Sequence, residues 1–173
     1  RITAFLSCIY GHVRNVSAHI HLGRCPEVTI MCFALYLASD TPLPVIPWDA
    51  TVPSLYVEKD TYHKPIPALS KPYVYYLGSH NGCGCGFLLD GNTPDTPEYR
   101  AIMQTYAQLA NYLELATRDA RVELFMSWEG EEGHDPQRNA SIRPEDIRKG
   151  LVAFREGQLF VVEHDVPDQD CTP

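Results

Sequence analysis

Residues 96–128 read TPEYRAIMQTYAQLANYLELATRDARVELFMSW, and the change of hydrophobic period within this stretch predicts the fold. Asp95 or Thr96 can cap a helix, and Pro97 suits its first position because the amide hydrogen that proline lacks has no partner there. Apolar side chains then recur at helical spacing: Tyr99, Ile102, Met103, Tyr106, Leu109, Ala110, Leu113 and Ala116. The segment therefore predicts one long helix, about residues 97–118, with one face packed on a sheet.

Strand patterns surround this helix. After it, apolar and other side chains alternate over residues 121–128, as in a half-buried strand. Further segments with strand-like composition are 32–38, 54–57, 73–79, 83–89 and 159–163. Pro144 opens a short helix, about residues 144–149, that ends near Gly150. Because strands dominate the first half, we predict an α+β domain whose sheet is mainly antiparallel, with both helices packed on it.

The length and the net charge of the chain limit which kinds of partner and location the protein can have. A chain of 173 residues can form a single domain with its own core. The formal charge of −8 argues against nucleic acid or an anionic membrane as a partner, since both require a basic surface. No run approaches the ~18 apolar residues of a membrane span, and Tyr10, His12 and Arg14 follow the apolar start too soon for a signal peptide. We therefore predict a cytoplasmic protein without nucleic-acid or membrane partners.

The first 30 residues differ from the rest of the chain. They hold three arginines, no lysine and one glutamate, whereas the remainder is strongly acidic. They also show no clean hydrophobic period. One interpretation is that residues 1–30 are an extension outside the core and that residues 31–173 form the single domain, which starts at Met31. The alternative is an N-terminal arm with a strand at residues 27–30.

The segment with the clearest potential for chemistry is Gly78-Ser79-His80-Asn81-Gly82-Cys83-Gly84-Cys85-Gly86. Asn-Gly between two strand-like runs is a strong hairpin signal, because both residues tolerate the positive φ of a type I′ turn. A two-residue turn would place His80 opposite Cys83. Since side chains alternate along a strand, His80, Cys83 and Cys85 would then share one face of a hairpin spanning residues 73–89.

Imidazole and thiolate are ligands that zinc prefers, so His80, Cys83 and Cys85 are the predicted metal ligands, with zinc as the cofactor this set suits. Candidates for a fourth ligand are Cys32, His63 and His134. On a regular strand, positions 83 and 85 stand ~6–7 Å apart, so ligation needs a bulge or loop at Gly84. The six cysteines fit no familiar disulfide framework, and we expect reduced thiols.

Two other functions remain open. The glycine-rich hairpin can be a purely structural element of a non-catalytic interaction module. Alternatively, Cys83 can be the nucleophile of an enzyme, with His80 across the ladder as its base. No residue that would orient His80 is identifiable, and the sequence does not decide whether the protein is an enzyme.

Three segments carry a resemblance to a known family: MCFALYLASD at residues 31–40, IPW at residues 46–48, and YYLGSHNGCGCGF at residues 75–87. They resemble a family of small bacterial proteins that begin at the equivalent of Met31 and have no assigned function. The resemblance runs from Met31 to about Val162 and includes Trp128-Glu129-Gly130. It favours Met31 as the start of the domain and implies no activity.

Overall fold

The helix predicted from residues 96–128 begins and ends close to the expected positions. The computed structural model describes residues 32–60, 65–89, 91 and 93–164. In it, helix α1 spans Pro97–Ala116, and the hydroxyl of Thr96 accepts a hydrogen bond from the backbone N–H of Tyr99. A shorter helix, α2, spans Pro144–Arg148. The two helices pack against each other, and both contribute side chains to the core.

Six strands form one sheet. They are β1 (Phe33–Ser39), β2 (Tyr56–Lys59), β3 (Tyr73–Gly78), β4 (Val122–Trp128), β5 (Arg138–Ile142) and β6 (Gln158–Val162). Their order across the sheet is β2-β3-β1-β4-β6-β5. Every neighbouring pair is antiparallel except β5 with β6, which is parallel. The predicted α+β class and the mainly antiparallel sheet are therefore confirmed.

The alternation of strand residues divides the sheet into two faces. On the helix face, the core contains fully buried side chains from the central strands and from α1, such as Leu35, Leu124 and Leu109. Burying each such side chain contributes about 1.5–3 kcal/mol to folding. The opposite face carries a smaller cluster that includes Tyr36 and Phe125, covered by residues 65–70. The long helix therefore occupies one face and leaves the other to aromatic side chains and loops.

The hairpin predicted over residues 73–89 is wrong in its second half. Its first strand is β3, and the turn exists: Ser79 N–H donates to the Cys83 carbonyl at 3.0 Å, and Gly82 has a φ of +76°. Residues Gly84–Phe87, however, form a 3-10 helix. The hydrogen-bonding edges of β3 are already taken by β1 and β2, so the chain after the turn has no strand beside β3 to form.

Two smaller differences concern the strands at the edges of the sheet. The strand predicted at 54–57 is β2, shifted to Tyr56–Lys59. The sequence signalled no strand at β5, because four of its five residues are exposed.

Residues 1–30, and with them the predicted extension and the proposed start at Met31, lie outside the described residues. Among the residues that the structure describes, no helix has both the length and the apolar character required to cross a membrane.

Candidate metal and thiol site

The turn after β3 holds Cys83 in a fixed position. The backbone N–H and the hydroxyl of Ser79 both donate to the Cys83 carbonyl, at 3.0 and 2.6 Å. The hydroxyl of Ser79 also accepts from the backbone N–H of Asn81 at 3.2 Å. Ser79 is fully buried, so these bonds replace the water that its polar groups would otherwise bind.

Glycine allows the next residues to lie directly on the sheet. A Cβ at Gly84 would stand 2.5 Å from the carbonyl oxygen of Phe33, and a Cβ at Gly86 would stand 2.1 Å from the Ser79 hydroxyl oxygen. Both distances are shorter than any real Cβ contact, so these positions have no room for a side chain. The 3-10 helix therefore rests against the beginning of β1, next to Cys32.

The sulfur atoms of Cys32, Cys83 and Cys85 all lie within 4.8 Å of one another. All three cysteines are reduced. The Cys85 sulfur also accepts a hydrogen bond from the backbone N–H of Phe33, with a donor–acceptor distance of 3.4 Å. Cys83 is only 7% exposed, whereas Cys32 and Cys85 are partly exposed. The structure thus forms a three-thiol cluster that is open to solvent on one side.

Cys83 and Cys85 differ in their acidity. The hydrogen bond from the Cys83 thiol, supported by the Phe33 N–H and the Cys32 thiol, lowers the pKa of Cys85 to about 6 despite partial burial. For Cys83, donation to Cys85 and then burial raise the pKa well above its ordinary value. In the metal-free protein the cluster therefore favours a thiolate at Cys85 over one at Cys83.

His80 does not belong to the sulfur cluster. Its Nδ1 lies 2.9 Å from the hydroxyl of Thr105, and its Nε2 lies 3.4 Å from a carboxylate oxygen of Glu98. Because the Thr105 hydroxyl donates to the carbonyl of Ala101, it accepts from Nδ1–H of His80. The imidazole therefore fixes the turn to the first half of α1. The predicted opposition of His80 and Cys83 depended on the second hairpin strand, which does not form.

The candidates for a fourth ligand have separate positions. Cys32 is in the cluster, His63 lies outside the described residues, and His134 lines a cavity on the sheet face opposite α1. That cavity, of about 190 Å³, also contains Phe125 and three acidic side chains. His134 is thus no part of the three-thiol group.

The strand register places Cys32 beside the turn that carries Cys83. Leu35 pairs with Leu77 in the antiparallel ladder of β1 and β3, so the residue before β1 is level with the turn after β3. The strand-like pattern of residues 32–38 was visible in the sequence. Its pairing with β3, which lies 34 or more residues further along the chain, was not.

Aromatic side chains enclose the buried side of the turn. Tyr56 donates its hydroxyl hydrogen to the Gly82 carbonyl at 2.8 Å, and its ring lies 6.0 Å from that of Tyr76. Trp48 packs edge-on against Tyr56, with ring centroids 5.1 Å apart. Burial raises the pKa of Tyr56 to about 12, so its hydroxyl remains a hydrogen-bond donor at neutral pH. The bond from Tyr56 therefore ties β2 to the turn directly before Cys83.

Comparison with known proteins adds no assignment: no family model, no curated protein and no solved structure matches this chain. The resemblance to small bacterial proteins therefore stays a prediction. The chemistry of the chain has to be inferred from the three-thiol cluster itself.

Proposed function

We propose that this protein binds a thiophilic metal ion, with zinc as the first choice, through Cys32, Cys83 and Cys85. One observation carries the proposal: three thiols from two distant parts of the chain meet with their sulfur atoms within 4.8 Å. Soft sulfur ligands in such numbers favour Zn²⁺ or Cu⁺ over the hard cations Mg²⁺ and Ca²⁺. We further propose that the protein is cytoplasmic, where thiols remain reduced.

The separation of the sulfurs is close to what zinc requires. With Zn–S bonds of ~2.3 Å, two sulfurs of a tetrahedral site stand ~3.8 Å apart. Contraction by about 1 Å from the observed limit of 4.8 Å would close the site, and rotation of the cysteine side chains can supply it. The 3-10 helix and β1 already lie in contact, so no backbone rearrangement is needed.

The fourth position supports an exchangeable ion. Structural zinc sites are closed by four protein ligands, whereas three protein ligands leave one position for water or substrate. Within the described ranges, the cluster contains no histidine or carboxylate. Cys32 and Cys85 are partly exposed, so a water molecule can reach an ion bound between them. The site therefore resembles an open zinc site more than a closed structural one.

A second candidate is the non-catalytic module with a structural turn. The observation that favours it is that Gly84 and Gly86 are both explained by packing alone, since a Cβ at either position would collide with β1 or Ser79. This function requires the same backbone but no metal. Metal binding therefore separates the two candidates.

The test is metal binding by the full chain. Purified, reduced protein is incubated with Zn²⁺, separated from free ion and analysed for metal, and its affinity is measured by competition with a chromophoric chelator. We expect about one zinc per chain, with intense sulfur-to-metal absorption when Co²⁺ replaces zinc. Cys32→Ser and Cys85→Ser should each weaken binding by roughly 100-fold, because each removes one of three thiolates.

His80→Gln is the matched control. It changes a residue of the same turn whose ring nitrogens bond to Thr105 and Glu98, so it should retain zinc. Circular dichroism on each variant checks that the fold is preserved. The proposal is wrong if the wild-type chain binds no zinc, or if the serine variants bind it as tightly as the wild type. In that case the structural module is the better description.

A further inference from the structure

The two sulfurs at the open side of the cluster lie on different parts of the chain. The Cys85 sulfur is 3.4 Å from the amide nitrogen of Phe33, which is bonded to the carbonyl carbon of Cys32. Both Cys32 and Cys85 are partly exposed. Cys83 is 7% exposed, and Ser79 holds its carbonyl with two hydrogen bonds. A small reagent from solvent thus reaches Cys85 and Cys32 before Cys83.

We propose that Cys85 is a site of oxidation by hydroperoxides and that Cys32 resolves it, forming a Cys32–Cys85 disulfide that expels the bound ion. The loss of the ion rests on the proposed metal site. The disulfide requires only the three-thiol geometry and forms in the metal-free protein as well.

The chemistry is a two-electron oxidation of two thiols. The Cys85 sulfur attacks the outer oxygen of the peroxide, the O–O bond breaks, and the leaving oxygen takes a proton to become an alcohol, or water when the reagent is hydrogen peroxide. Cys85 is then a sulfenic acid. The Cys32 sulfur attacks the Cys85 sulfur, the S–O bond breaks, and the hydroxyl leaves as water with the Cys32 proton. Two thiols are oxidised and one peroxide is reduced.

Cys32 is the resolving residue for a geometric reason. A disulfide requires Cα atoms ~4.4–6.8 Å apart and a Cβ–S–S–Cβ dihedral near 90°. Two cysteines separated by a single residue reach this geometry with strain, and Cys83 is further fixed by the turn. Cys32 precedes β1 and approaches Cys85 from a separate part of the chain, so its side chain can rotate toward Cys85 without moving that turn. After the bond forms, only Cys83 remains as a ligand, which is too few to hold zinc.

The experiment follows the disulfide and the metal separately. The full chain carrying Cys25→Ser and Cys83→Ser is treated, metal-free, with equimolar hydrogen peroxide, alkylated and digested with trypsin. Trypsin cuts after Arg24, Lys59 and Arg100 and not before proline, so Cys32 and Cys85 fall in separate peptides, 25–59 and 60–100. The two substitutions leave one cysteine in each peptide. We expect these peptides to be linked, with the loss of two hydrogens.

Metal release is measured on the wild-type chain loaded with zinc. Hydrogen peroxide should release the ion to a chromophoric chelator, and a dithiol reductant should restore binding. Cys32→Ser is the matched variant for the disulfide: without a resolving thiol, Cys85 should accumulate as a sulfenic acid that a dimedone probe traps. Trapping should be several times greater than in the chain that retains Cys32.

Failure of the two proposals is distinguishable. A chain that binds zinc but keeps its Cys85 thiol in peroxide overturns the oxidation proposal and leaves the metal site in place. A reduced chain that binds no zinc overturns the metal site, and the metal-free peptide map still decides the oxidation. The same peptide map is therefore made on the wild-type chain, where a Cys83–Cys85 bond within peptide 60–100 in place of the link to peptide 25–59 overturns the assignment of the resolving thiol, as does trapping that does not depend on Cys32.

Discussion

Gly84→Ala tests whether the close approach of the turn to β1 creates the site. The added Cβ would lie 2.5 Å from the Phe33 carbonyl oxygen, 2.9 Å from its carbonyl carbon and 3.0 Å from the Leu35 nitrogen. These are backbone atoms inside the sheet, so they cannot turn aside. To restore an ordinary contact the 3-10 helix must move by about 1 Å, which for an overpacked buried site costs about 1–3 kcal/mol. We therefore expect Gly84→Ala to lower both the stability of the protein and its affinity for zinc.

Stability is measured by thermal and urea unfolding of the metal-free, reduced protein. For a domain of this size, the expected cost corresponds to a fall in Tm of about 2–12 °C. Zinc affinity should fall as well, by roughly tenfold or more, because a 1 Å displacement carries Cys83 and Cys85 away from Cys32. That displacement is as large as the contraction that zinc binding itself requires.

Gly133→Ala is the matched control. Gly133 is exposed, and a Cβ built there meets nothing within 4 Å, so the same substitution should change stability by no more than ~0.5 kcal/mol. The close contact of the turn with β1 does not create the site if both variants unfold at the same temperature, or if Gly84→Ala loses stability while its zinc affinity stays at the wild-type value. The second result would mean that the turn and the cluster are independent.

The remaining predictions concern acidity and the core. In the metal-free protein, alkylation of Cys85 by a maleimide should slow as the pH falls through about 6, because protonation removes the thiolate, whereas Cys83 should stay slow at neutral pH. Both cysteines lie in the tryptic peptide 60–100, so fragmentation of that peptide on either side of Gly84 assigns the label to Cys83 or Cys85, and a Cys85 midpoint near ~8.5 would contradict the geometry. Tyr106→Phe should destabilise by about 1–2 kcal/mol in urea unfolding, because the fully buried hydroxyl donates its one hydrogen to the Phe87 carbonyl at 2.7 Å, with the Val152 carbonyl as a weaker second acceptor at 3.2 Å. Thr96→Ala should lower the free energy of unfolding by about 1 kcal/mol in the same assay, because it removes the cap of α1. An unchanged midpoint would mean that this cap does not contribute to stability.

The prediction of the turn at Asn81-Gly82 was right for a local reason. Asn81-Gly82 does form a turn, and Cys83 and Cys85 do approach one another, because turn formation depends on a few adjacent residues. The strand expected after Cys83 depended on an open edge beside β3. Both edges of β3 are used by segments far along the chain, so local alternation of side chains could not reveal this.

The sequence by itself determined the elements whose signals are local. Proline and threonine set the start of α1, the period of 3.6 set its buried face, and alternation marked β4. Tertiary structure decided which cysteines meet. The pairing of β1 with β3 places Cys32 beside the turn, and the absence of a Cβ at Gly84 lets the turn lie on the strand. Both depend on contacts between residues that lie 34 or more positions apart, which no local pattern encodes. For the same reason, the sequence could not show that His80 hydrogen-bonds to Thr105 of α1 while the sulfur atoms of the three cysteines meet in one cluster.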